Sequence, residues 1–454
     1  MPISPARVAA FDILLRVERE ASYASELLHS AACERLSTPD HALATELVMG
    51  VLRWRSRLDD EIASASSQPL SKLDIEILIA LRLALYQFRW LDRIPERAAL
   101  HESVELAKRA RKRSAAPFVN AVLRNLSASP LPTPRSPDQP HSAETLARTL
   151  AHPSWLVERW AREYGLPSAH QICQHNQSIP ICAIRLRTPV AESRLMQEGI
   201  VLTPGALLSS SRRVQSGDIT KTRAFRAGEI AIQDEASQLV AALVGTSPFI
   251  LDCCAAPGGK TLAIADLNPT AKIIAVDLHP HRARLLQNLL HLHPRHPSDQ
   301  RSAARIRVVA ADARHIPTSL AFDRVLADVP CSGTGTLTRN PDIKWRLTPL
   351  DLKELQTRQL AILRSALSRV ARGGRLIYST CSLEKEENQD VIEQALRETA
   401  AFHLLDCRTE LDRLKTSGQL TWPVPTSLTC GPYLRTIPGL HPCEGFFAAI
   451  FERC

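Results

Sequence analysis

The sequence has 454 residues, which predicts two or three domains rather than one hydrophobic core. Hydrophobic residues make up 44% and charged residues 23% of the chain, a balance typical of soluble globular proteins. We expect a cytoplasmic protein without membrane association, because the sequence has neither an apolar run long enough to cross a bilayer nor a signal-peptide pattern.

Lysine and arginine outnumber aspartate and glutamate by 56 to 47, which gives a formal charge of +9 at pH 7. This surplus is compatible with a polyanionic partner such as nucleic acid, and equally with a basic soluble surface. The 11 cysteines are odd in number and form no C-x-x-C pair, so both a disulfide framework and a zinc site are disfavoured. Reduced thiols and no bound metal fit this pattern better.

Residues 1–128 predict a helical domain, because apolar residues recur at helical spacing. The segment Leu73 to Trp90 is apolar on nearly every side, as expected of a central helix. Residues 129–145 are rich in proline and cannot build a core, so we predict a linker there. Residues 146–235 predict a small α+β module, with a helix at 154–165. Short strands are expected there at 181–187 and 228–234.

From residue 236 to residue 454, apolar strands alternate with helices, which indicates a mostly parallel sheet covered by helices. Strands are expected at 249–254, 272–277, 305–312, 324–329 and 375–380. A further strand at 445–453 is expected to close the edge of the sheet. Between the second and third strands, His291, His293 and His296 could suggest metal binding. They lack carboxylate or thiol partners at ligand spacing, so a solvated loop is the preferred interpretation.

The segment ILDCCAAPGGKT (250–261) predicts a strand, a glycine-rich turn and a helix. Gly258 and Gly259 allow close approach of the backbone to a ligand, and the start of the helix offers amide groups to a carboxylate. A nucleoside-triphosphate loop would need glycine at position 254, where the sequence has Cys254. An ordinary tight turn is the remaining alternative.

Acidic residues end the following strands. Asp277 stands where an acid commonly accepts hydrogen bonds from ribose hydroxyls, and Asp312 is expected beside an adenine. Each residue alone could merely cap a turn. Because the carboxyl ends of parallel strands meet at one edge, we expect them to form one crevice for a nucleoside-containing ligand.

Two cysteines follow later strands: Cys331 in DVPCSGTG, shortly after Asp328, and Cys381 in STCS. For either cysteine alone, the role of a small buried apolar side chain is the more common interpretation. Both lie in polar loops rich in serine or glycine at the predicted crevice. This arrangement favours two thiols that face one pocket.

With these segments in place, the sequence resembles the Sun/NOL1/NOP2 family of RNA cytosine-C5 methyltransferases. The matching strings are CAAPGGKT (254–261), DVPCSGTGTLTRNPDIKW (328–345), YSTCSLEKEENQDVI (378–392) and EGFFAA (444–449). The resemblance implies an α/β Rossmann-like domain that transfers methyl groups from S-adenosylmethionine to C5 of a cytosine. DNA cytosine methylases use the thiol of the Pro-Cys segment and have no thiol in the TCS segment; this sequence has both, so the resemblance favours RNA over DNA.

The resemblance also implies roles for individual residues. Cys381 would add to C6 of the cytosine as nucleophile, Cys331 would assist release as a general base, and Asp328 would contact the base at N3. The residues implied to bind the cofactor are Cys254, Ala255, Ala256, Pro257, Gly258, Gly259, Lys260, Asp277, Asp312 and Asp328. The sequence departs from the family pattern, away from the reacting atoms, at Cys253, Ala311, Val329 and Glu444.

The helical region resembles NusB, an RNA-binding antitermination factor, over residues 40–59, 80–109 and 118–126. The implied phosphate-contacting residues are Lys108, Arg109, Arg111, Lys112 and Arg113, for which a solvated helix face is the alternative interpretation.

A NusB-like domain joined to this catalytic domain is similar to bacterial 16S ribosomal RNA methyltransferases. The implied fold is multidomain: an all-α NusB-like domain (1–128), a linker (129–145), an α+β RNA-binding module (146–235) and an α/β methyltransferase domain (236–454). The implied partner of a monomeric enzyme is 16S ribosomal RNA, in the small ribosomal subunit or its precursor. A transfer-RNA cytosine-C5 methyltransferase and a non-catalytic RNA-binding or assembly factor remain alternatives.

Overall fold

The computed structural model describes residues 3–20, 22–128, 142–292 and 306–454. Most of the predicted linker (129–145) and of the predicted histidine loop (291–305) therefore lies outside the described residues. The contacts divide the chain into two compact units. Residues 1–179 and 337–347 form the first unit, and residues 180–336 and 348–454 form the second. None of the described helices combines the length and the hydropathy needed to cross a membrane.

The first unit is helical. Its helices are α1 (Pro5–Glu20), α2 (Ala24–Leu28), α3 (Ala31–Glu34), α4 (Thr38–Ala65), α5 (Ile75–Trp90), α6 (Glu96–Arg109), α7 (Ala116–Ala128), α8 (Ala143–Thr149), α9 (Ser154–Tyr164) and α10 (Leu166–Gln177). The α5 helix is buried from Ile77 to Gln87, which confirms the prediction of a central helix. Its buried Arg82 is neutralised by Asp59 and Glu18, at 2.7 and 3.0 Å, as a buried charge requires.

The segment predicted as one α+β module (146–235) falls in both units. Its helix α9 turns Leu156, Val157 and Trp160 to a single buried face. These side chains are buried within the all-helical first unit, so the helical part of the segment is grouped there. The remainder belongs to the second unit, where β1 (Cys182–Leu186) begins.

A stretch from the C-terminal half of the chain completes the helical unit. Residues 337–347 belong to it, and they include part of the string that follows Cys331. Lys344 is buried and donates from Nζ to the carbonyl oxygen of Arg53 at 2.9 Å. Arg53 in turn donates to the carbonyl oxygen of Thr338 at 3.1 Å. Burial lowers the pKa of Lys344 well below its usual range, because no carboxylate neutralises the ammonium group within hydrogen-bonding distance among the described residues.

The second unit begins with a small antiparallel sheet, in the order β2-β3-β1-β4. Its further elements are α11 (Ala191–Gln197), β2 (Val201–Pro204), β3 (Ser211–Ser216), α12 (Arg223–Arg226) and β4 (Ile230–Ile232). The predicted strands at 181–187 and 228–234 correspond to β1 and β4, which pair at Arg185 and Ala231. The pattern of apolar residues did not predict β2 and β3, because both strands are largely polar or half-exposed.

The second sheet carries the crevice. The elements that follow β4 in the chain are α13 (Glu235–Val244), β5 (Phe249–Asp252), α14 (Gly259–Leu267), β6 (Lys272–Asp277), α15 (Pro280–Leu292), β7 (Ile306–Ala310), β8 (Phe322–Asp328), α16 (Ile343–Arg346), α17 (Pro349–Leu367), β9 (Val370–Thr380), α18 (Gln389–Glu398), β10 (Phe402–Leu405), α19 (Cys407–Thr416), β11 (Thr429–Cys430), β12 (Tyr433–Thr436) and β13 (Phe446–Arg453). Among the described strands the order is β11-β12-β13-β9-β8-β5-β6-β7, with β10 also paired to β13. Strands β5 to β9 are mutually parallel where they pair, which confirms the predicted Rossmann-like α/β class.

The position expected for the last strand was wrong. β13 runs antiparallel to β9 and is followed on its other side by β12 and β10, so it is not the edge of the sheet. The physical reason lies in its composition: the run from Phe446 to Phe451 is buried on both faces, which is typical of an internal strand.

Candidate active site

The ends of the parallel strands bring the candidate residues to one edge of the sheet. Asp252 ends β5, Asp277 ends β6, Asp328 ends β8 and Thr380 ends β9. Loops that leave the carboxyl ends of neighbouring parallel strands share one crevice, the usual ligand site of such sheets. The sequence-predicted residues therefore meet because of strand order, although they are far apart in the chain.

The glycine-rich loop between β5 and α14 is held against β6. The Ala255 amide donates to the Val276 carbonyl oxygen at 2.8 Å. Gly258 has φ +115°, and a Cβ there would lie 2.5 Å from Leu286 Cδ1, so only glycine fits. At Gly259 a Cβ would meet Gln233 Nε2 at an ordinary 3.7 Å, so the chain itself does not require glycine at that position. Among the described residues no side chain caps α14, and its first amides can therefore bind an anionic group.

Asp277 and Asp312 reach the same edge but have different partners. Asp277 is buried and accepts hydrogen bonds from the amides of Ala256 (3.2 Å) and His279 (3.0 Å). Asp312 accepts from the Arg314 guanidinium at 2.6 Å, and this hydrogen bond lowers the pKa of Asp312. Asp277 therefore orders the glycine-rich loop directly, whereas Asp312 is paired locally.

Lys260 and Asp328 form an ion pair across the crevice. The Lys260 ammonium lies 2.7 Å from Asp328 Oδ2 and 4.9 Å from the centre of the Phe446 ring. Ser379 donates to Asp328 Oδ1 at 2.6 Å. Burial disfavours the charged lysine, but the Asp328 carboxylate outweighs this effect and raises the pKa of Lys260. The pair therefore keeps both charges at the centre of the site.

The two cysteines face each other. Cys331 Sγ and Cys381 Sγ are 3.2 Å apart, and the Cys381 amide donates to Cys331 Sγ at 3.3 Å. Both side chains are half-buried. The hydrogen bond with Cys381, together with burial, raises the pKa of Cys331 well above its usual range. The two thiols, predicted from the sequence to share a pocket, are thus in direct contact.

Glu387 and Asn388 were not recognised in the sequence as part of the site. The Glu387 carboxylate is buried and accepts hydrogen bonds from Ser332 and Ser382, the residues that follow the two cysteines. Asn388 accepts from Thr380 Oγ1 at 2.5 Å and donates to the Ser382 carbonyl oxygen at 2.9 Å. The stretch KEENQD (385–390), within the matching string 378–392, is the sequence feature that could have identified these two residues.

Asp252 is a third residue of the site to which the sequence assigned no role. It is buried, and its Oδ2 accepts from Thr261 Oγ1 at 2.7 Å. Its Oδ1 has no hydrogen-bond partner among the described residues. Burial raises the pKa of Asp252 to about 7. A strand-ending aspartate has no distinctive spacing, so the sequence pattern could not identify this group.

Two glycines allow three loops to meet. The Gly335 amide donates to the Cys381 carbonyl oxygen at 2.9 Å, and the Gly445 amide donates to the Gly335 carbonyl oxygen at 2.8 Å. A Cβ at Gly335 would lie 2.1 Å from the Gly445 carbonyl oxygen. Residues without a side chain are therefore required at these positions, because only then can the two cysteine loops and the segment before β13 approach within hydrogen-bonding distance.

The basic cluster implied by the NusB resemblance lies at the end of α6, in the first unit. Three of its residues are paired with acids: Lys108 with Glu105, Arg109 with Asp12, and Lys112 with Asp74. Arg111 and Arg113 are exposed. The structure thus brings the cluster to the surface, but with part of its charge neutralised. The described residues contain no group of three or more histidine, cysteine or acidic side chains placed to hold a metal ion.

Comparison with known proteins identifies the family. Residues 244–452 match the family described as "16S rRNA methyltransferase RsmB/F", and residues 4–128 match the NusB family. The "Probable ribosomal RNA small subunit methyltransferase B" of Bacillus subtilis is 35% identical over 87% of this chain and 89% of its own. The "Ribosomal RNA small subunit methyltransferase B" of Escherichia coli is 30% identical over 92% of this chain and 91% of its own.

The chain belongs to the RsmB/F methyltransferase family. Solved structures support the same fold. The crystal structure of PH0851 is similar with a TM-score of 0.79 and 22% identity, covering 100% of both chains. NSun6 from Pyrococcus horikoshii, whose crystal structure is with SFG, has a TM-score of 0.53 and 19% identity over 65% of this chain and 97% of its own.

The buried carboxyl group of Asp252 makes the stability of the protein depend on pH. In Asp252→Asn the side chain stays neutral at every pH and can still accept from Thr261. The raised pKa of about 7 stabilises the folded wild type at low pH, and this contribution is lost as the pH rises from the unfolded pKa to the folded one. We therefore expect the variant to gain stability relative to wild type from about pH 4 to about pH 7, and no further above. Urea denaturation across that range measures this difference, and parallel curves would contradict it.

The close approach at Gly335 makes that position intolerant of a side chain. In Gly335→Ala the new methyl group must displace the Gly445 and Cys381 carbonyl groups. We expect a loss of about 1–3 kcal/mol in the free energy of unfolding and at least a tenfold fall in the methyl-transfer rate, since about 1.4 kcal/mol is a factor of ten. Thermal denaturation and single-turnover assays measure the two effects.

Gly373→Ala is the matched control for Gly335→Ala. A Cβ at Gly373 meets nothing within 4 Å, and only its φ of +68° is unfavourable. The control should lose about 1–2 kcal/mol of stability and keep its methyl-transfer rate. Equal rates in the two variants would show that the contact between Gly335 and Gly445 is not needed for activity.

Proposed function

We propose that this chain transfers a methyl group from S-adenosylmethionine to C5 of a specific cytosine in 16S ribosomal RNA, through a covalent bond between Cys381 and C6. The observation that carries the proposal is the contact of the two thiols, with sulfur atoms 3.2 Å apart beside the Lys260–Asp328 ion pair. The names of the Bacillus subtilis and Escherichia coli relatives support ribosomal RNA of the small subunit as the substrate.

The residues of the crevice fit S-adenosylmethionine. The start of α14, uncapped by any side chain among the described residues, suits the carboxylate of the methionine part. Asp277 suits the ribose hydroxyls, and Asp312 suits the adenine side of the pocket. Asp252 Oδ1, a buried oxygen with no partner among the described residues, can accept from a bound amino group. We assign the loop from Cys254 to Lys260 to the same site. When bound, the cofactor supplies an electrophilic methyl group.

Cys381 acts as the nucleophile in this proposal. Its thiolate forms a bond to C6 of the cytosine, and the electron pair of the C5–C6 double bond moves into the ring toward N3. The Lys260 ammonium lies near enough to Cys381 for that thiol to contribute to the raised pKa of Lys260. The Lys260 ammonium is therefore placed to interact with negative charge on the Cys381 sulfur.

Asp328 holds the N3 edge of the base. As negative charge develops at N3, Asp328 passes it a proton taken from the Lys260 ammonium 2.7 Å away, and this proton returns to Lys260 when the product is released. The ring carbon C5 is then the nucleophile toward the methyl group. The target base has to leave its stack to reach Cys381, so an unpaired or loosely paired cytosine is the expected target.

Cys331 assists release. While Cys381 is a thiolate, Cys331 keeps its proton and hydrogen-bonds to it. Once Cys381 is bonded to C6 its negative charge is gone, and Cys331 can lose its proton to water. The Cys331 thiolate then takes the proton from C5, the bond between Cys381 and C6 breaks, and Cys381 leaves as a thiolate.

The helical domain (1–128) is proposed to bind RNA, supported by its match to the NusB family. The proposed phosphate contacts are Lys108, Arg109, Arg111, Lys112 and Arg113. The remaining proposed parts of a monomeric enzyme are the linker (129–145), the α+β RNA-binding region (146–235), whose helical part is grouped with the first unit, and the methyltransferase domain (236–454).

Transfer of radiolabelled methyl from S-adenosylmethionine to purified 16S RNA tests the proposal, with transfer RNA in a parallel reaction and the labelled base mapped. We expect label at C5 of one cytosine in 16S RNA. Label only on transfer RNA would overturn the substrate while keeping the chemistry. Binding of S-adenosylmethionine without transfer to either RNA or to the small subunit would favour a non-catalytic assembly factor.

Substitution of each of the two cysteines should have a different effect on the reaction. Cys381→Ser should abolish methyl transfer, because no covalent bond to C6 forms. Cys331→Ala should accumulate an enzyme–RNA adduct, because the C5 proton is not removed and Cys381 cannot leave. Denaturing gel electrophoresis with labelled RNA detects the adduct as a slower band. Loss of activity without an adduct in both variants would contradict this division of roles.

A further inference from the structure

The Glu387 carboxylate connects the two cysteine loops. Its Oε1 accepts from the Ser332 amide (2.8 Å) and from Gln359 Nε2 (2.8 Å). Its Oε2 accepts from the Ser332 hydroxyl at 2.5 Å and from the Ser382 hydroxyl. Ser332 follows Cys331 directly and Ser382 follows Cys381. One side chain thus bonds to both loops, next to each thiol.

The two loops stay close through this cluster. The hydroxyl oxygens of Ser332 and Ser382 are 3.1 Å apart, and the neighbouring sulfur atoms are 3.2 Å apart. Glu387 itself is fixed to the sheet, because the buried Tyr378 hydroxyl donates to its carbonyl oxygen at 2.6 Å. The spacing of the thiols therefore follows the position of one buried carboxylate.

The partners of Glu387 require an ionised acid rather than an amide. The amides of Ser332 and Gln359 can only donate, and the two serine hydroxyls donate as well. Burial raises the pKa of Glu387, while the bonds from the serines oppose this effect. In a glutamine, an amide NH2 would replace one of the two carboxylate oxygens. The two groups that donate to that oxygen would then face another donor and lose their acceptor. The four hydrogen-bond donors thus stabilise the full negative charge of the Glu387 carboxylate.

That charge acts on Cys331. Glu387 contributes to the raised pKa of Cys331, after the effects of Cys381 and burial, whereas Lys260 is the charged neighbour of Cys381. The titratable groups around the two thiols and Glu387 are Tyr378 and Cys381 from β9 and its loop, Asp328 from β8, Lys260 from α14, and Cys254 from the glycine-rich loop.

We propose that Glu387 is a positioning residue that sets the spacing of the two thiols and, through its negative charge, holds the proton on Cys331. This inference rests on the proposed function, in which the two cysteines have different roles. Glu387 touches neither base nor cofactor in this proposal, and it acts only through Ser332, Ser382 and Cys331.

The test is Glu387→Gln in the full chain, with Glu393→Gln as the matched control, since Glu393 is an exposed carboxyl group on α18. Alkylation of Cys331 and Cys381 by iodoacetamide is followed as a function of pH by mass spectrometry of the two peptides. This readout needs no RNA. Wild type and the control should react mainly at Cys381. In Glu387→Gln the nearby negative charge is removed and Cys331 loses its proton more easily, so the ratio of Cys331 to Cys381 alkylation at neutral pH should rise at least severalfold.

A second variant, Ser382→Ala, tests the proposal in case Glu387→Gln does not fold. Ser382→Ala keeps the charge of Glu387 but removes one of its bonds to the Cys381 loop. It should lower the single-turnover rate of methyl transfer about tenfold, equivalent to about 1.4 kcal/mol, with the alkylation profile of Cys331 unchanged. If circular dichroism shows that Glu387→Gln is unfolded, the rate of Ser382→Ala decides.

An unchanged alkylation ratio in folded Glu387→Gln, or an unchanged rate in Ser382→Ala, would overturn the proposal. Failure of the proposed function looks different. In that case wild type transfers no methyl group to any RNA, while the alkylation of its two cysteines still reports on Glu387. The two failures are therefore distinguishable in one set of samples.

Discussion

The parallel pairing of β8 with β9 is the constraint on which the site depends. Asp328 is the register partner of Ser379, and the two cysteine loops leave these strands side by side. Apolar residues on both faces fix this register, with Val325 and Leu376 in one core cluster and Leu326 and Ile377 in the other. A slip of one residue would turn every side chain of β9 to the opposite face and separate Ser379 from Asp328.

The chemistry of the site follows from unequal surroundings of two identical groups. Cys331 and Cys381 are in contact, and the buried Glu387 carboxylate bonds to the loops of both. Glu387 contributes to the raised pKa of Cys331, whereas the Lys260 ammonium interacts with Cys381. In a buried setting these charges are weakly screened, so each has a strong effect on its neighbour. In the proposed mechanism the two cysteines have different roles, and different charged neighbours give them different surroundings.

Backbone contacts complete the arrangement. Gly335 and Gly445 bring three loops within hydrogen-bonding distance, and Gly258 allows the glycine-rich loop to turn into α14 beside Leu286. The chain after the Cys331 loop continues into the helical unit, where Lys344 and Trp345 donate to the carbonyl oxygens of Arg53 and Leu52. The matching string 328–345 is therefore fixed at both of its ends by contacts with residues distant in sequence.

The sequence by itself determined the helical domain, the parallel sheet, the turn at Gly258 and the placement of both cysteines at strand ends. These features depend on local periodicity and turn chemistry, which neighbouring residues encode. Only the tertiary structure decided that Glu387 bonds to both cysteine loops, that Asp252 Oδ1 lacks a partner among the described residues, and that β13 lies inside the sheet. Each of these depends on burial and on contacts between segments far apart in the chain, which the spacing of residues along one segment does not specify.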